Sequence, residues 1–370
     1  MSYGRFLLST ILTTCALSPL ARAKDPLPRS TPEAQGVSAE EVRAFVQDAD
    51  QSIHQIHSFM LVRHGNVVAE GWWKPEAADK PHVMWSVSKS FNATAVGLAI
   101  AEGKLSVDDK VLKFFPDLAP ANPSDNLKAM RVRDLLMMAS GDAKESKFSL
   151  TDGPTVKGFL DQPVEFEPGT HFIYNTPGAY VLSAIVTKVT GQTVLEYLKP
   201  RLFEPLGIDD ATWDSSKEGY SLGGFGLHVT TEDLAKFGQL YLQKGNWNGK
   251  QIVPKSWVAA ATRKEIENRD APSGRGNKPD WQQGYGFQFW RCQHHAFRAD
   301  GKDGQFCLVL PDEDAVVVIT ADTHDMQKEI NVVWDKLLPA FHPDPLPANA
   351  AEDEKLKQEL GALQLHELKK

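Results

Sequence analysis

The segment that most constrains this chain is MWSVSKSFNATAVGLAIAEGK, residues 84–104. A polar Ser-Val-Ser-Lys turn runs straight into small, apolar residues, so a serine and a lysine stand at the mouth of a predicted buried helix over about 85–101. Positions three apart share a helical face. Ser86 and Lys89 therefore sit side by side, close enough for an amine to take a hydroxyl proton, one known way of activating a serine. Ser86 is the only serine with lysine at plus three. A helix start also favours developing negative charge through its free N–H groups. The bland alternative is a capped helix with a solvated lysine; Met84 and Trp85 just before the serine argue against a surface helix there.

The rest of the chain is compatible with a large folded body. Its 370 residues are 42% apolar and 24% charged, enough for a sizeable core in one large domain or two smaller ones. Lys and Arg number 40 against 48 Asp and Glu, and no basic stripe interleaved with aromatics occurs, so nothing points to nucleic acid. MSYGR, the apolar FLLSTILTTCALSPL and the small-residue ARA before Lys24 read as a cleaved secretory signal peptide over residues 1–23, implying a secreted or periplasmic protein. A lipidated Cys15 is the lesser reading, because threonine before the cysteine fits such a site poorly. No run approaches the roughly 20 apolar residues of a stable membrane span. Cleavage leaves Cys292 and Cys307, which either pair or act as small buried hydrophobes.

Ser38-Ala-Glu-Glu41 is a capping box opening a helix. Residues 58–73 give two strand-like runs around His64-Gly65-Asn66, a hairpin signature. Short helices and Pro-bearing connections fill about 105–225, including 132–141 and 178–191, and a capped amphipathic helix spans 230–245. Strand patterns return in GYGFQFWRC, GQFCLVLPD and AVVVITAD, followed by a helix over about 324–338. Strands at both ends with helices between predict an α+β fold: one antiparallel sheet flanked by helices, carrying an inserted mainly helical subdomain. The predicted division is a domain over 24–341, with its α/β part at about 30–115 and 225–341 and the helical insert at about 116–224. Residues 342–370 read as a charged tail, loose or helical.

Two further stretches could join the serine. In EPGTHFIYNTPGAY, Tyr174 stands between a Pro-Gly turn and a helix start, where a phenol could shuttle a proton; a loop tyrosine is otherwise a packing residue. In FRADGKDGQFCLVLPD, glycines 301 and 304 would let backbone approach a ligand closely, or simply make a hairpin turn.

In this order the three stretches resemble the serine β-lactamase and penicillin-binding superfamily, in its class C and esterase-like branch, which includes 6-aminohexanoate-dimer hydrolases. The resemblance covers about residues 30–340 and extends to RHGNVVAEG, GKLSVDDKVLKFFPD and FGLHVTTEDLAKFGQLYLQKGNWNGKQIVP. It implies an acylated nucleophile at Ser86, a proton-accepting Lys89 and a cooperating Tyr174. Gly301 matches the glycine of the third motif, and the oxyanion hole would be the N–H groups of Ser86 and Lys302. Two departures stand out. The family asparagine position holds Thr176, with Asn175 one place early. The third motif reads Ala299-Asp300-Gly301, lacking the family's Lys or His and replacing its Thr. Asp300 is therefore expected to repel a substrate carboxylate unless Arg298 or Lys302 turns inward.

The expected function is a secreted serine hydrolase acting through an acyl-enzyme on small-molecule or peptide esters or amides. The alternative is a β-lactamase or D,D-carboxypeptidase, and a non-catalytic binding module of the same fold is less favoured, since a binder has no need of Ser86, Lys89 and Tyr174 together. A nucleophile-elbow hydrolase is not expected. No His-Glu-x-x-His, P-loop or Gly-x-Gly-x-x-Gly occurs, so the sequence implies no metal and no cofactor; His54, His57, His294 and His295 read as surface residues.

Overall fold

Near-continuous apolar segments at opposite ends of the chain meet in one six-stranded sheet. The computed structural model describes residues 26–145, 148, 153–269 and 278–366, together with Met1; the predicted leader lies outside the described residues. The strands are β1 (Ile56–Arg63), β2 (Asn66–Trp72), β3 (Trp290–Arg291), β4 (Phe297–Gly301), β5 (Gln305–Leu310) and β6 (Ala315–Ala321), in the order β2-β1-β6-β5-β4-β3, all antiparallel. The hairpin expected around His64-Gly65 joins β1 to β2, and β1 closes on β6 in the register Phe59↔Ile319 and Leu61↔Val317.

Directly paired residues share a face and successive residues alternate, so the sheet has two covered sides. On one, Ser58 Oγ hydrogen-bonds Thr231 Oγ1 at 2.7 Å, and a Cβ on Gly238 would come within 2.6 Å of Cys307 Sγ. That side carries α4 (Thr231–Leu242), capped by a reciprocal Thr230/Asp233 box. On the other, Phe59 packs on Phe45 of α1 (Ala39–Ser52), ring centroids 4.8 Å apart, and Ser38 caps α1 by accepting from Glu41 N–H as its sequence predicts. The two cysteines are buried and unbridged.

Between the strand segments lie α2 (Ser88–Ala101) and α3 (Thr176–Thr190). Nearly all of α2 is buried, which explains its small residues: Phe91 stacks on Phe237 of α4 at 3.8 Å, and a Cβ on Gly97 would lie 2.3 Å from the Trp257 indole. The predicted strand 284–292 shortens to Trp290–Arg291. Gln288 adopts a left-handed φ of 63° and its Nε2 donates to the carbonyls of Leu135 and Leu136, so this stretch arches over a helical turn instead of extending the sheet. The charged tail takes the helical of its two expected forms. Residues Ala350–Ala362 form a helix packed on α1 and β2, with Leu356 buried and Arg43 paired to Glu352.

One buried acid beside the sheet has a readable pH signature. Glu329, in α5 (Met326–Val332), is fully buried, and neither carboxylate oxygen has a hydrogen-bond partner among the described residues. Desolvation first, and the Asp300 charge second, raise its pKa well above 4.5. A carboxyl bound more tightly to its proton in the folded state contributes stability below its unfolded value, and loses it as pH rises towards its folded value. Glu329→Gln should therefore gain stability over the parent above about pH 4.5, by up to ~1.4 kcal/mol per pH unit across that window. Urea melts at pH 4.5, 6 and 7.5 measure this; an equal difference at all three would refute it.

Candidate active site

The serine turn is a strained piece of backbone tied down on both sides. Trp85–Val87 make a single 3-10 turn ahead of α2, and Trp85 holds φ at +44°, a conformation costing a bulky residue about 1–3 kcal/mol. What holds it is the 221–228 loop. Met84 N–H donates to Leu227 O at 2.8 Å, and Leu227 N–H donates back to Ser88 Oγ at 3.1 Å. Ser88 is thus a buried brace, while Ser86, two residues earlier, is part-exposed.

Lys89 lies beneath Ser86 as the spacing predicts. Its Nζ donates to Ser86 Oγ at 2.8 Å and to Gly224 O at 2.7 Å, with only 1% of the residue exposed. Gly224 must be small, because a Cβ there would come 2.7 Å from Thr176 Cγ2. The Tyr174 ring faces the same nitrogen, 4.9 Å from centroid to Nζ, and stacks on Trp290 at 5.7 Å. So three distant segments, 86–89, 174 and 224, converge on one amine. Geometrically, the Ser86 hydroxyl has an adjacent amine that can take its proton when neutral, and an aromatic hydroxyl residue beside that amine.

The third stretch arrives from the sheet. A Cβ on Gly301 would sit 2.5 Å from Met84 O, so only glycine lets β4 lie against the serine turn. Just beyond, Lys302 has an exposed side chain paired to Asp303 at 2.5 Å, its Nζ 4.9 Å from the Trp85 ring. Gly301 and Lys302 are thus packed against the turn that carries Ser86.

Asp300 and Arg298 are not. They pair across the sheet with Phe306 and Leu308, and so face away from the side carrying Ala299, Gly301 and α2. Both are buried in an ion pair of 2.9 Å; Arg298 also donates to Asp280 O at 2.7 Å and lies 4.2 Å over Trp281. The expectation that Asp300 confronts a bound carboxylate is therefore wrong, because strand alternation sends it into the opposite layer. Asn175 is likewise a framework residue. Only 1% exposed, it caps α3 by accepting from Gly178 N–H at 3.0 Å, and its Nδ2 bonds Asp142, whose pKa burial raises.

Thr176, at the family's asparagine position, donates to Glu145 Oε1 at 3.2 Å. Neither Glu145 nor the Gly224 carbonyl emerged from the sequence reading. The glycine run 223–226 was the signal for the latter; nothing local marks Glu145. Gly219-Tyr220-Ser221-Leu222-Gly223 also carries the Gly-x-Ser-x-Gly spacing of a nucleophile elbow, a signal against the expectation that no such hydrolase motif is present. Ser221 is 1% exposed and its Oγ accepts from Leu195 N–H at 3.4 Å, in a loop rather than on a strand-to-helix elbow, so it is no competing nucleophile. Among the described residues no group of three or more His, Cys, Asp or Glu could hold a metal ion.

Known proteins give the same picture at larger scale. The chain is 26% identical over 333 residues to the 6-aminohexanoate-dimer hydrolase of Paenarthrobacter ureafaciens, spanning 84% of this chain and 82% of that one. A family VIII carboxylesterase superposes with a TM-score of 0.66 at 16% identity, covering 84% of this chain and 98% of that chain. The octameric penicillin-binding protein homologue from Pyrococcus abyssi gives a TM-score of 0.64 at 21% identity, over 83% and 79% of the two chains. With the beta-lactamase family profile matching residues 44–335, on a sheet and helical layer of the penicillin-binding protein fold, this chain belongs to the beta-lactamase family of serine hydrolases.

Proposed function

We propose that the protein hydrolyses ester or amide substrates through an acyl-enzyme on Ser86, and that it does so as a secreted or periplasmic enzyme. The observation that carries the chemistry is the 2.8 Å bond from Lys89 Nζ to Ser86 Oγ, with Lys89 fixed from below by Gly224 O. With the Lys89 amine neutral, Ser86 Oγ attacks the substrate carbonyl carbon and gives its proton to Lys89 Nζ. The carbonyl oxygen becomes an oxyanion facing the N–H groups of Ser86 and Lys302. The bond to the leaving alcohol or amine breaks as that group takes a proton relayed through Lys89 and Tyr174. Water then adds to the acyl carbon while losing a proton along the same Lys89–Tyr174 path; the bond to Ser86 Oγ breaks, Ser86 takes that proton back, and the carboxylic acid leaves.

Labelling with a fluorophosphonate tests the nucleophile. Ser86→Ala should abolish covalent labelling and nearly all turnover with the fold intact. Ser88→Ala should still label, but leave the buried Leu227 N–H unpaired and lose about 1–3 kcal/mol of stability. Equal loss of labelling in both variants would sink the assignment.

The proton relay is tested by a double-mutant cycle. Lys89→Ala and Tyr174→Phe should each slow turnover roughly 10²–10⁴-fold, the range for a positioned acid or base. Because both act on one proton path, the double variant should be far less impaired than the product of the two. Full multiplicativity in kcat would argue for independent roles.

Substrate preference rests on what surrounds the serine. Ala299, at the position where relatives carry Lys or His, shares the sheet face of Gly301 and supplies no cation. Thr176 is engaged by Glu145, an acid one side chain away from the Gly224 and Lys89 contact. A carboxylate brought near Glu145 meets a like charge, worth about 1 kcal/mol at 4 Å even in bulk water. Neutral acyl substrates escape this, and the family VIII carboxylesterase likeness supports the same direction. On one preparation, kcat/KM for p-nitrophenyl butyrate should exceed that for nitrocefin by at least about tenfold. More efficient turnover of nitrocefin would reverse the preference.

A further inference from the structure

We infer that Gln305 is a positioning residue that fixes the peptide plane presenting the Lys302 N–H to Ser86; the inference rests on the acyl-enzyme reading above. The turn between β4 and β5 faces a conflict set by packing. Gly301 must lack a side chain because Met84 O occupies the space a Cβ would need. A glycine is also the residue whose flanking peptides rotate most freely. The Gly301–Lys302 peptide, which carries the proposed oxyanion donor, is therefore the one that the close approach leaves least restrained by its own chain.

Gln305 supplies the missing restraint. It pairs directly with Gly301 across β4 and β5, so its side chain and the absent Gly301 Cβ lie on the same face; its own Cβ would be 2.8 Å from a Cβ there. The side chain is almost wholly buried, and its Nε2 donates to two carbonyls at once, Lys302 O at 3.1 Å and Ala321 O at 2.6 Å. The first bond holds the Lys302–Asp303 peptide; the second anchors that bond to the end of β6. Thr323 N–H donates to Asp303 O at 3.0 Å and holds the next peptide in turn. With Gly301 fixed by its strand pairing and the Lys302–Asp303 plane fixed by Gln305, the peptide between them is clamped at both ends. Its N–H cannot turn without breaking one of these restraints. A buried glutamine spending one amide proton on the turn and the other on the end of β6 has no need to touch substrate to matter for rate.

Two variants test this. Gln305→Met keeps the volume and removes both donors. It should lower kcat for p-nitrophenyl butyrate about 10–100-fold with KM within about twofold, less than the 10²–10³ cost of deleting an oxyanion donor outright. Affinity for a boronic acid that forms a tetrahedral adduct on the serine should fall in parallel. Gln305→Glu places a carboxylate against two carbonyl oxygens at neutral pH, yet regains one donor when protonated. Its kcat relative to the parent should therefore rise as pH falls from 8 to 5, a profile that a purely structural role would not give. Unchanged kcat in Gln305→Met with only a lower melting temperature, or a flat ratio for Gln305→Glu, overturns the inference while leaving the acyl-enzyme reading standing. Failure of a fluorophosphonate to label Ser86 in the parent overturns that reading, and this inference with it.

Discussion

Burying the Lys89 amine beside Ser86 is the constraint on which the remainder of this structure depends. A lysine side chain is rarely fully buried unless its head group is bonded, and here two bonds, to Ser86 Oγ and Gly224 O, meet that need. Each bond imposes a demand on distant chain. The Gly224 carbonyl is in place only because residues 221–228 return to α2, where Leu227 exchanges hydrogen bonds with Met84 and Ser88. That loop can lie so close only with glycines: at Gly223 a Cβ would fall 2.7 Å from Ser183 Cβ, and at Gly224 equally close to Thr176. The helical layer is thus assembled around the amine, through contacts more than 100 residues apart in sequence.

The sheet meets the same turn from the opposite side. Met84 O is the point of contact: its residue's N–H is held by the 221–228 loop, and its carbonyl is where a Gly301 side chain would be. The strained Trp85 therefore sits between two anchors belonging to different layers. Strain of this kind persists only where surrounding structure over-determines it. Its position immediately before Ser86 aims the hydroxyl out of α2 while leaving Lys89 inside.

Local patterns made much of this readable. Ser86 and Lys89 were legible because a three-residue spacing on a helix is geometry, and the apolar run behind it requires burial. Capping residues Ser38 and Thr230 announced their helices for the same local reason. The pairing of the N-terminal hairpin with the C-terminal strands followed from where strand-like segments fall along the chain. What could not be read is whatever depends on the partner layer. Glu145 meets Thr176 through a loop whose path no periodicity marks. Gln288 bends a stretch that reads as strand, because its amide donates to a carbonyl 153 residues away. Asn175 fills an N-cap, and its identity as a good capping residue says nothing of whether it also faces a substrate.

The position of Asp300 shows most clearly how one missing fact changes a chemical conclusion. A strand displays successive residues on opposite faces, so a motif of three consecutive residues cannot place all three beside the same ligand. Sequence alone fixes the alternation but not its phase. Here the phase is set by Gly301, whose Cβ direction points at Met84 O and so puts Ala299 on the serine side, with Asp300 behind. Behind the sheet Asp300 has a different task. It pairs with Arg298, whose buried guanidinium is wedged among Trp281, Trp290 and Phe306 and needs counter-charge there. An acid in that motif is consequently no guide to substrate charge. The groups that do bear on it are the neutral Ala299 and the Glu145 carboxylate at Thr176. Both leave a bound carboxylate without a cationic partner from these positions, so the proposed preference for uncharged acyl groups rests on different residues from those that first suggested it.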